Sequence, residues 1–283
     1  MTTPTRRPWW AAAALLLVAG CQTGVDAAPT SQTEPSSSGS PTEKEPTQPG
    51  YSLVALGDSL PFAGPDCGGC PSFATLYGAM VEESAGQPAR VKNLSMHDGV
   101  TTPVLVDRLR TSDTLRAAVA GADIVLISAG HNDTPWNLND DPCDGPSGND
   151  IDWSAYTAEC AREAADGFGR VLDDLLTEVE LLRDGAPTSI RVINFYNDWI
   201  GWADAPPEAT PATVAVLDAF SAVICDVAAA HDAACADTYH AFNGPDGASP
   251  AGALLADDYT HPSAAGHELI ADVLFDVGLA PLY

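Results

Sequence analysis

The stretch Ile124-Val125-Leu126-Ile127-Ser128 decides the fold class of this chain. It is a continuous apolar run without the polar alternation of a half-solvated strand, and this pattern is typical of a strand buried on both faces of a parallel sheet. Segments with strand and helix patterns alternate on either side of it. We therefore predict an α/β fold in which helices cover both faces of the sheet.

The pattern of apolar residues also places the other elements. Three more strands are predicted at residues 52–56, 90–94 and 190–195. Helices are predicted at residues 73–84, 103–110, 113–120, 154–183, 214–230 and 263–275, with a long loop at residues 134–152. Active sites of open α/β folds lie at the carboxyl ends of the strands, so the residues that follow each strand are the first candidates for chemistry.

The N-terminal segment has the composition of a targeting signal. Arg6 and Arg7 precede an apolar run from Trp9 to Ala19, which is shorter than a membrane span. The run leads into Val18-Ala19-Gly20-Cys21, which resembles the lipobox of bacterial lipoproteins. This resemblance implies a signal peptide at residues 1–20 and acylation of Cys21. The alternative is an ordinary secretory signal that leaves Cys21 as a free thiol.

Residues 21–50 follow as a tether that carries the acylated cysteine at its start. The segment is rich in Pro, Ser, Thr and Glu, and it has no aromatic residue. It buries too little apolar surface to offset its chain entropy, so we expect it to be disordered. The remaining residues 51–283 form one domain, which is within the usual range of domain sizes.

The charge of the chain restricts its partners. Twelve Lys and Arg residues stand against 39 Asp and Glu residues, for a formal net charge of −27. Nucleic-acid binding requires clustered cationic side chains, so we expect no nucleic-acid partner. The same charge repels anionic lipid headgroups and anionic substrates.

Six cysteines remain in the domain beside Cys21. An even number in an exported protein indicates disulfide bonds. Among the connectivities that six cysteines allow, we expect the sequence-local set Cys67–Cys70, Cys143–Cys160 and Cys225–Cys235. The alternative for Cys67-Gly68-Gly69-Cys70 is a redox pair, but two glycines in a loop favour a structural bridge.

A candidate nucleophile follows the first strand, in Gly57-Asp58-Ser59-Leu60. A lone serine at such a place is usually a turn or cap residue, and a nucleophile also requires a base, an orienting acid and oxyanion donors. Asp258-Tyr259-Thr260-His261-Pro262 supplies the first two, because an aspartate three residues before a histidine can accept the Nδ1–H and direct Nε2 towards the serine. The default for an isolated Asp-x-x-His is a solvated loop pair.

Two further strand ends offer oxyanion donors. Gly130-His131-Asn132-Asp133 follows the third strand, and the Asn132 side-chain amide can donate to an oxyanion. Gly99 follows the second strand, and a glycine lets its backbone N–H approach a substrate closely. Either feature alone is more often ordinary turn chemistry.

Taken together and in this order, these blocks resemble the GDSL, or SGNH, hydrolase family. The resemblance covers residues 51–283 and rests on Gly57-Asp58-Ser59-Leu60, Gly130-x-Asn132-Asp133 and Asp258-x-x-His261-Pro262. It implies a three-layer, flavodoxin-like sandwich around a five-stranded, mostly parallel sheet. No Gly-x-Ser-x-Gly elbow occurs in the chain, which argues against an ordinary α/β-hydrolase.

The resemblance also implies roles for the site residues. Ser59 is the nucleophile, His261 the base and Asp258 the residue that orients it. The N–H groups of Ser59 and Gly99 and the Asn132 amide form the oxyanion hole, while Asp58 and Asp133 support the site. The segment from Asn93 to Gly99 is one residue longer than the commonest family spacing. Exported actinobacterial-type members with three disulfides are the most similar, which favours the local cysteine pairing.

The implied activity is hydrolysis of small-molecule or lipid carboxylic esters by an esterase or lipase that needs no cofactor. The alternatives are a cell-surface carbohydrate deacetylase or acyltransferase that uses the same triad, and a binding lipoprotein without activity. The expected location is the outer face of the cell membrane, through the N-terminal lipid, or the medium after release. We expect the protein to be a monomer.

Histidines and tryptophans outside these blocks allow two interpretations. His97, His131, His231, His240 and His267 lack the helical spacing of metal ligands, so we expect no metal site and assign them as polar loop or helix residues. Trp136, Trp153, Trp199 and Trp202 either line an acyl pocket or pack in the core, and core packing is expected for at least half of them.

Overall fold

The computed structural model describes residues 50–62, 64–97, 99–146 and 151–282. In chain order its strands are β1 (Tyr51–Gly57), β2 (Ala89–Asn93), β3 (Ile124–Ser128), β4 (Asp140–Asp141), β5 (Gly145–Pro146), β6 (Ser189–Ile193) and β7 (Ala234–Ala236). Five of them form one sheet in the order β2-β1-β3-β6-β7, and every neighbouring pair in it is parallel. The short strands β4 and β5 form a separate antiparallel pair. The predicted α/β class with a five-stranded parallel sheet is confirmed.

Helices connect the strands and cover the sheet. They are α1 (Phe73–Ala85), α2 (Thr102–Thr111), α3 (Asp113–Ala120), α4 (Ala158–Arg183), α5 (Ala209–Ala230), α6 (Thr238–Asn243) and α7 (Ala264–Asp276). One group packs α1 against α7, and a second packs α4 against α2, α3 and α5. Right-handed crossovers place these two groups on opposite faces of the sheet, which gives the three layers expected from the sequence.

The central strands are buried on both faces, as their apolar runs predict. All five residues of β3 and all five of β6 are buried, and Leu53 to Leu56 of β1 are at most 1% exposed. One of the buried side chains in these strands is charged. The guanidinium of Arg191 in β6 donates to the carbonyl oxygens of Gly278 and Ala280, so the C-terminal segment satisfies it.

Several predicted boundaries shift in the structure. Helix α4 begins at Ala158 rather than 154, because Thr157 caps it by accepting a hydrogen bond from the N–H of Cys160. Helix α5 begins at Ala209 rather than 214, and the predicted loop at residues 134–152 contains a 3-10 turn and the β4–β5 pair. The sequence pattern does not predict the fifth strand of the sheet, β7. Its sequence Ala-Cys-Ala lacks the branched and aromatic residues typical of strands.

Three disulfide bonds join Cys67 to Cys70, Cys143 to Cys160 and Cys225 to Cys235. They are the sequence-local pairs expected from the sequence, and they indicate an extracellular or exported protein. The predicted signal peptide at residues 1–20, the acylated Cys21 and the tether to residue 50 lie outside the described residues, apart from Gly50. Helix α5 is long and apolar enough to span a membrane by length and composition. It packs against α4, and its disulfide ties it to β7, as expected of a core crossover helix.

Candidate active site

Strand β1 places Ser59 at the carboxyl edge of the sheet. Gly57 ends the strand with φ of 149°, and a Cβ at this position would lie 2.0 Å from the carbonyl oxygen of Ser128 in β3. Only glycine lets the two strand ends approach this closely. The N–H of Asp58 donates to the same carbonyl at 3.1 Å, and the N–H of Phe62 donates to the Ser59 carbonyl at 3.0 Å. Ser59 is therefore the first half-buried residue beyond the buried end of the strand.

The loop before α7 brings Asp258 and His261 together. Oδ1 of Asp258 accepts hydrogen bonds from the N–H groups of Thr260 and His261, each at 3.0 Å. Oδ2 of Asp258 lies 2.5 Å from Nδ1 of His261. The N–H of Ala256 donates to the His261 carbonyl at 2.8 Å and closes the loop. The loop thus forms the Asp–His pair that the sequence predicts.

The charge of Asp258 decides which nitrogen of His261 is basic. Burial raises the pKa of Asp258, but hydrogen bonds from the ring of His261 and from the N–H groups of Thr260 and His261 outweigh burial and lower it below its ordinary value. An ionised Asp258 keeps the proton on Nδ1 and leaves the lone pair on Nε2. Nε2 is buried and has no hydrogen-bond partner among the described residues.

Tyr196, which sequence analysis did not identify, supports this loop from the end of β6. Its hydroxyl donates to the carbonyl of Thr260 at 2.8 Å, and its ring stacks on Phe242 with the centroids 4.2 Å apart. Tyr259 in the same loop has φ of 61°, a conformation that is uncommon for a residue other than glycine. The only sequence signal for Tyr196 is its position just after a strand.

The loop after β3 carries Asn132 and Asp133. Gly130 opens it with φ of 119°, where a Cβ would lie 2.8 Å from the rings of Phe168 and Phe195. The Asn132 amide donates to the carbonyl of Val100 at 3.0 Å.

Asp133 ties this loop to the start of α2. Its carboxylate accepts hydrogen bonds from the N–H of Thr102 at 2.9 and 3.1 Å and from the Thr102 hydroxyl at 2.8 Å. The loops after β2 and β3 are thus joined twice, once by Asn132 and once by Asp133. Gly99 belongs to the loop after β2 and lies just before Val100, on an exposed turn with φ of 66°.

Ring contacts connect the loops that carry Ser59 and His261. The ring of His97, in the loop after β2, lies 5.4 Å from the ring of His261 at an interplanar angle of 17°. The same ring lies 5.1 Å from that of Phe62, three residues after Ser59. No hydrogen bond joins Ser59 to His261 in the part of the chain that the structure describes. Catalytic hydrogen bonds often tighten only when substrate is bound.

The buried carboxyl group of Asp58 and the half-buried one of Asp133 lie close enough to interact. Burial raises the pKa of Asp58 to about 7, and the nearby charge of Asp133 adds to this shift. Oδ1 of Asp58 accepts from the N–H of Leu60 at 3.0 Å, whereas Oδ2 is buried without a partner among the described residues. Burial also raises the pKa of Asp133, against the effect of its bonds to Thr102.

One of the histidines outside the sequence motifs, His97, lies close to the site. Nε2 of His97 is 2.8 Å from Oδ2 of Asp66, and one ligand atom from each of Asp66, His97 and His261 lies within 4.8 Å of the others. A second group with this proximity comprises Cys67, Cys70 and His267, but its two sulfurs form a disulfide bond. The pairing of His97 with His261 depends on the fold, so sequence spacing could not reveal it.

The four tryptophans form one aromatic cluster with Tyr156. Trp153 and Trp199 are buried, with their ring centroids 4.8 Å apart. Trp136 and Trp202 are partly exposed and pack at the edge of this cluster. The ring centroid of Trp136 is 6.1 Å from that of Trp153, and the ring centroid of Trp202 is 5.2 Å from that of Trp199. Core packing thus accounts for two of the four, as expected.

Comparisons with known proteins identify a family and several proteins of similar fold. A model of the GDSL-like lipase/acylhydrolase family matches residues 55–269. The lipase Lip_vut3 from a goat rumen metagenome has a similar solved structure, with a TM-score of 0.64 and 20% identity over 82% of this chain and 100% of that chain. An acetylxylan esterase, Axe2 from Geobacillus stearothermophilus, has a TM-score of 0.53 and 22% identity over 81% of this chain and 94% of that chain. The structure of TesA has a TM-score of 0.54 and 18% identity over 82% of this chain and 99% of that chain. A search of curated proteins gives no match.

The solved structures are too distant in sequence to show more than a shared fold. The family match, by contrast, spans most of the chain and includes the loops after β1, β2 and β3 and the loop before α7. It identifies an enzyme family of the esterase and lipase type. The chain belongs to the GDSL-like lipase/acylhydrolase family.

Proposed function

We propose that the protein is an exported serine hydrolase that cleaves carboxylic esters through an acyl-enzyme intermediate. The observation that carries this proposal is the Asp258–His261 pair, with Nδ1 engaged at 2.5 Å and Nε2 buried without a partner among the described residues. A histidine held in this way is suited to accept a proton from a serine hydroxyl. Ser59, in Gly57-Asp58-Ser59-Leu60 at the end of β1, is the nucleophile in this proposal.

The proposed reaction proceeds in two stages. Ser59 Oγ attacks the ester carbonyl while Nε2 of His261 takes the hydroxyl proton, and Asp258 stabilises the imidazolium. The N–H groups of Ser59 and Gly99 and the second N–H of the Asn132 amide stabilise the tetrahedral oxyanion. His261 then gives its proton to the leaving alcohol, and water releases the acyl group by the reverse sequence of proton transfers.

Labelling with a fluorophosphonate probe tests the nucleophile directly. We expect the full chain to be labelled at Ser59, and the Ser59→Ala variant to lose both the label and ester hydrolysis. Ser95→Ala is the matched control, because Ser95 also follows a strand but its hydroxyl donates to Asn93 at 2.6 Å. Equal labelling of the Ser59→Ala variant and the wild type would refute the assignment.

Acetylated carbohydrate is a second candidate substrate, and one observation favours it. The partly exposed Trp136 lies four residues after Asn132 and joins the aromatic cluster with Trp202. Flat aromatic side chains beside a catalytic loop can pack against sugar rings. Rates on nitrophenyl acetate, a long-chain nitrophenyl ester and acetylated xylooligosaccharide distinguish the classes. A Trp136→Ala variant that loses activity only on the sugar would favour deacetylation.

We also propose that acylated Cys21 anchors the enzyme to the outer face of the cell membrane. The apolar run that ends in Val18-Ala19-Gly20-Cys21 supports this proposal, as does the Pro- and Ser-rich segment after it. Two or more fatty chains hold a protein stably on a bilayer. Growth with an alkyne-tagged fatty acid should label the wild type in the membrane fraction. The Cys21→Ser variant should remain unlabelled.

A further inference from the structure

Three loops bring metal-ligating side chains together, and one of these side chains is the proposed catalytic base. Asp66 comes from the 3-10 turn at Pro65–Cys67, His97 from the loop after β2, and His261 from the loop before α7. One ligand atom of each lies within 4.8 Å of the other two, and the shortest of these distances joins Asp66 Oδ2 to His97 Nε2 at 2.8 Å.

His261 presents one nitrogen to this cluster. Nδ1 is engaged by Asp258, so the nitrogen left to bind an ion is Nε2, which is buried without a hydrogen-bond partner among the described residues. A neutral imidazole nitrogen is a good ligand for transition metals. The Asp258 carboxylate behind Nδ1 would then be the outer partner that commonly orients a metal-bound histidine.

The turn that carries Asp66 is rigid. The Cys67–Cys70 disulfide closes it, and the N–H of Gly69 donates to the carbonyl of Gly64 at 2.6 Å. The side chain of Asp66 is 18% exposed and that of His97 is 41% exposed, so a bound ion would be open to solvent on the His97 side. Ligand atoms around tetrahedral zinc are about 3.3 Å apart, so each separation has to change by no more than about 1.5 Å to complete the site.

The ligand set selects the ion. Two imidazoles and one carboxylate match zinc, which takes nitrogen and oxygen ligands at about 2.0–2.2 Å and keeps water in an open fourth position. Calcium and magnesium prefer oxygen ligands and would leave both imidazoles unused. The chain also carries a formal charge of −27, which raises the local concentration of cations.

We propose that Asp66, His97 and His261 form an inhibitory zinc site. The ion would bind the Nε2 lone pair that has to accept the proton of Ser59, so bound zinc and catalysis exclude each other. The inhibitory consequence rests on the proposed function, because it requires His261 to be the catalytic base. The binding of zinc does not require it.

Two measurements test the proposal on the full chain with a purification tag that contains no histidine. Calorimetry with zinc chloride measures binding, and hydrolysis of nitrophenyl acetate with zinc or with a chelator measures inhibition. We expect one zinc per chain in the wild type and in Ser59→Ala. His97→Ala should weaken binding at least about tenfold, since even the loss of an outer-shell partner of a metal costs about 10–100-fold.

His240→Ala is the matched control, because His240 is 40% exposed and lies 2.7 Å from Asp237 in a similar pair outside the cluster. It should bind zinc as the wild type does, and both it and His97→Ala should hydrolyse esters without zinc. Equal zinc affinity of the His97→Ala and His240→Ala variants, or no saturable binding by the wild type, would overturn the zinc site. Zinc binding by a wild type that hydrolyses no ester would refute the proposed function and leave the metal site standing.

Discussion

Asn132 has two tasks in the loop after β3, because its side-chain amide carries two N–H groups. One donates to the carbonyl of Val100 at 3.0 Å and ties the loop to the segment before α2. The other is the proposed oxyanion donor. Removal of the amide therefore affects both the order of the loop and the transition state.

We predict that Asn132→Ala lowers kcat by about a hundredfold or more with little change in KM, since one oxyanion donor contributes about 2.7–4 kcal/mol. Asn137→Ala is the control for loop order, because among the described residues the Asn137 amide donates only within the loop, to the His131 carbonyl and the Thr134 hydroxyl. Steady-state kinetics of both variants separate the two tasks. An equal fall in kcat in the two variants would show that Asn132 is not an oxyanion donor.

Asp58 links the stability of the site to pH. Its pKa is about 7 because burial disfavours the carboxylate, against an ordinary value of 3.8. The folded state therefore keeps a proton that the unfolded chain releases, and the free energy of unfolding falls as pH rises from about 4 to about 7.

We predict that Asp58→Asn removes this loss, because its side chain is neutral at every pH. The free energy of unfolding of the variant, relative to that of the wild type, should rise by about 2–3 kcal/mol between pH 5 and pH 8. Urea unfolding at several pH values measures it. A difference that does not change with pH would mean that Asp58 is ionised in the folded protein at pH 5.

At the scale of elements, the loop before α7 depends on a contact from another part of the sheet. The antiparallel bridge between Leu255 and Pro262 closes its base, and Tyr196 binds the Thr260 carbonyl next to His261. Tyr196 is 1% exposed, so its hydroxyl position is set by the core. The orientation of the imidazole is thereby linked to the end of β6.

We predict that Tyr196→Phe lowers kcat roughly five- to tenfold and leaves KM unchanged, because the loss of one hydrogen bond, worth about 1 kcal/mol, loosens the His261 loop. Tyr239→Phe is a matched control, since the buried Tyr239 donates to Asp218 at 3.0 Å. Kinetics and thermal unfolding of both variants provide the comparison. Equal falls in kcat and in stability would indicate that Tyr196 acts only through the core.

The elements differ in how far the sequence predicts them. Strands β1 and β3 could be located because burial on both faces gives uninterrupted apolar runs, and their ends place Ser59 and Asn132. Strand β6 could be located from the branched residues on either side of Arg191. Strand β7 could not, because Ala-Cys-Ala forms a strand only through its pairing with β6. The stacking of His97 on His261 could not be predicted either, since it depends on the path of two loops far apart in sequence.

At the scale of the whole molecule, charge acts on every approaching substrate. The formal net charge is −27, and Asp66, Asp133 and Asp258 lie in the loops that build the site. Such a field repels anions over distances comparable to the Debye length. Neutral esters experience no net repulsion.

We predict that an anionic ester, such as a nitrophenyl hemisuccinate, is cleaved with a lower kcat/KM than nitrophenyl acetate. The kcat/KM of the anionic ester, divided by that of nitrophenyl acetate, should rise several-fold between about 10 mM and about 0.5 M salt. Salt screens the repulsion between the protein and the anionic ester. The neutral ester is the internal control for effects of salt on the enzyme itself. A ratio that is independent of salt would show that local contacts alone determine the preference.

The three disulfides join cysteines that are consecutive in the chain, at separations of 3, 17 and 10 residues. A polypeptide that leaves an export channel from its N-terminus therefore exposes both members of each pair before the first member of the next. Oxidation in the order of emergence yields the native set directly, without the slow thiol exchange that interleaved pairs require. The native pairing thus requires no exchange between cysteines of different pairs.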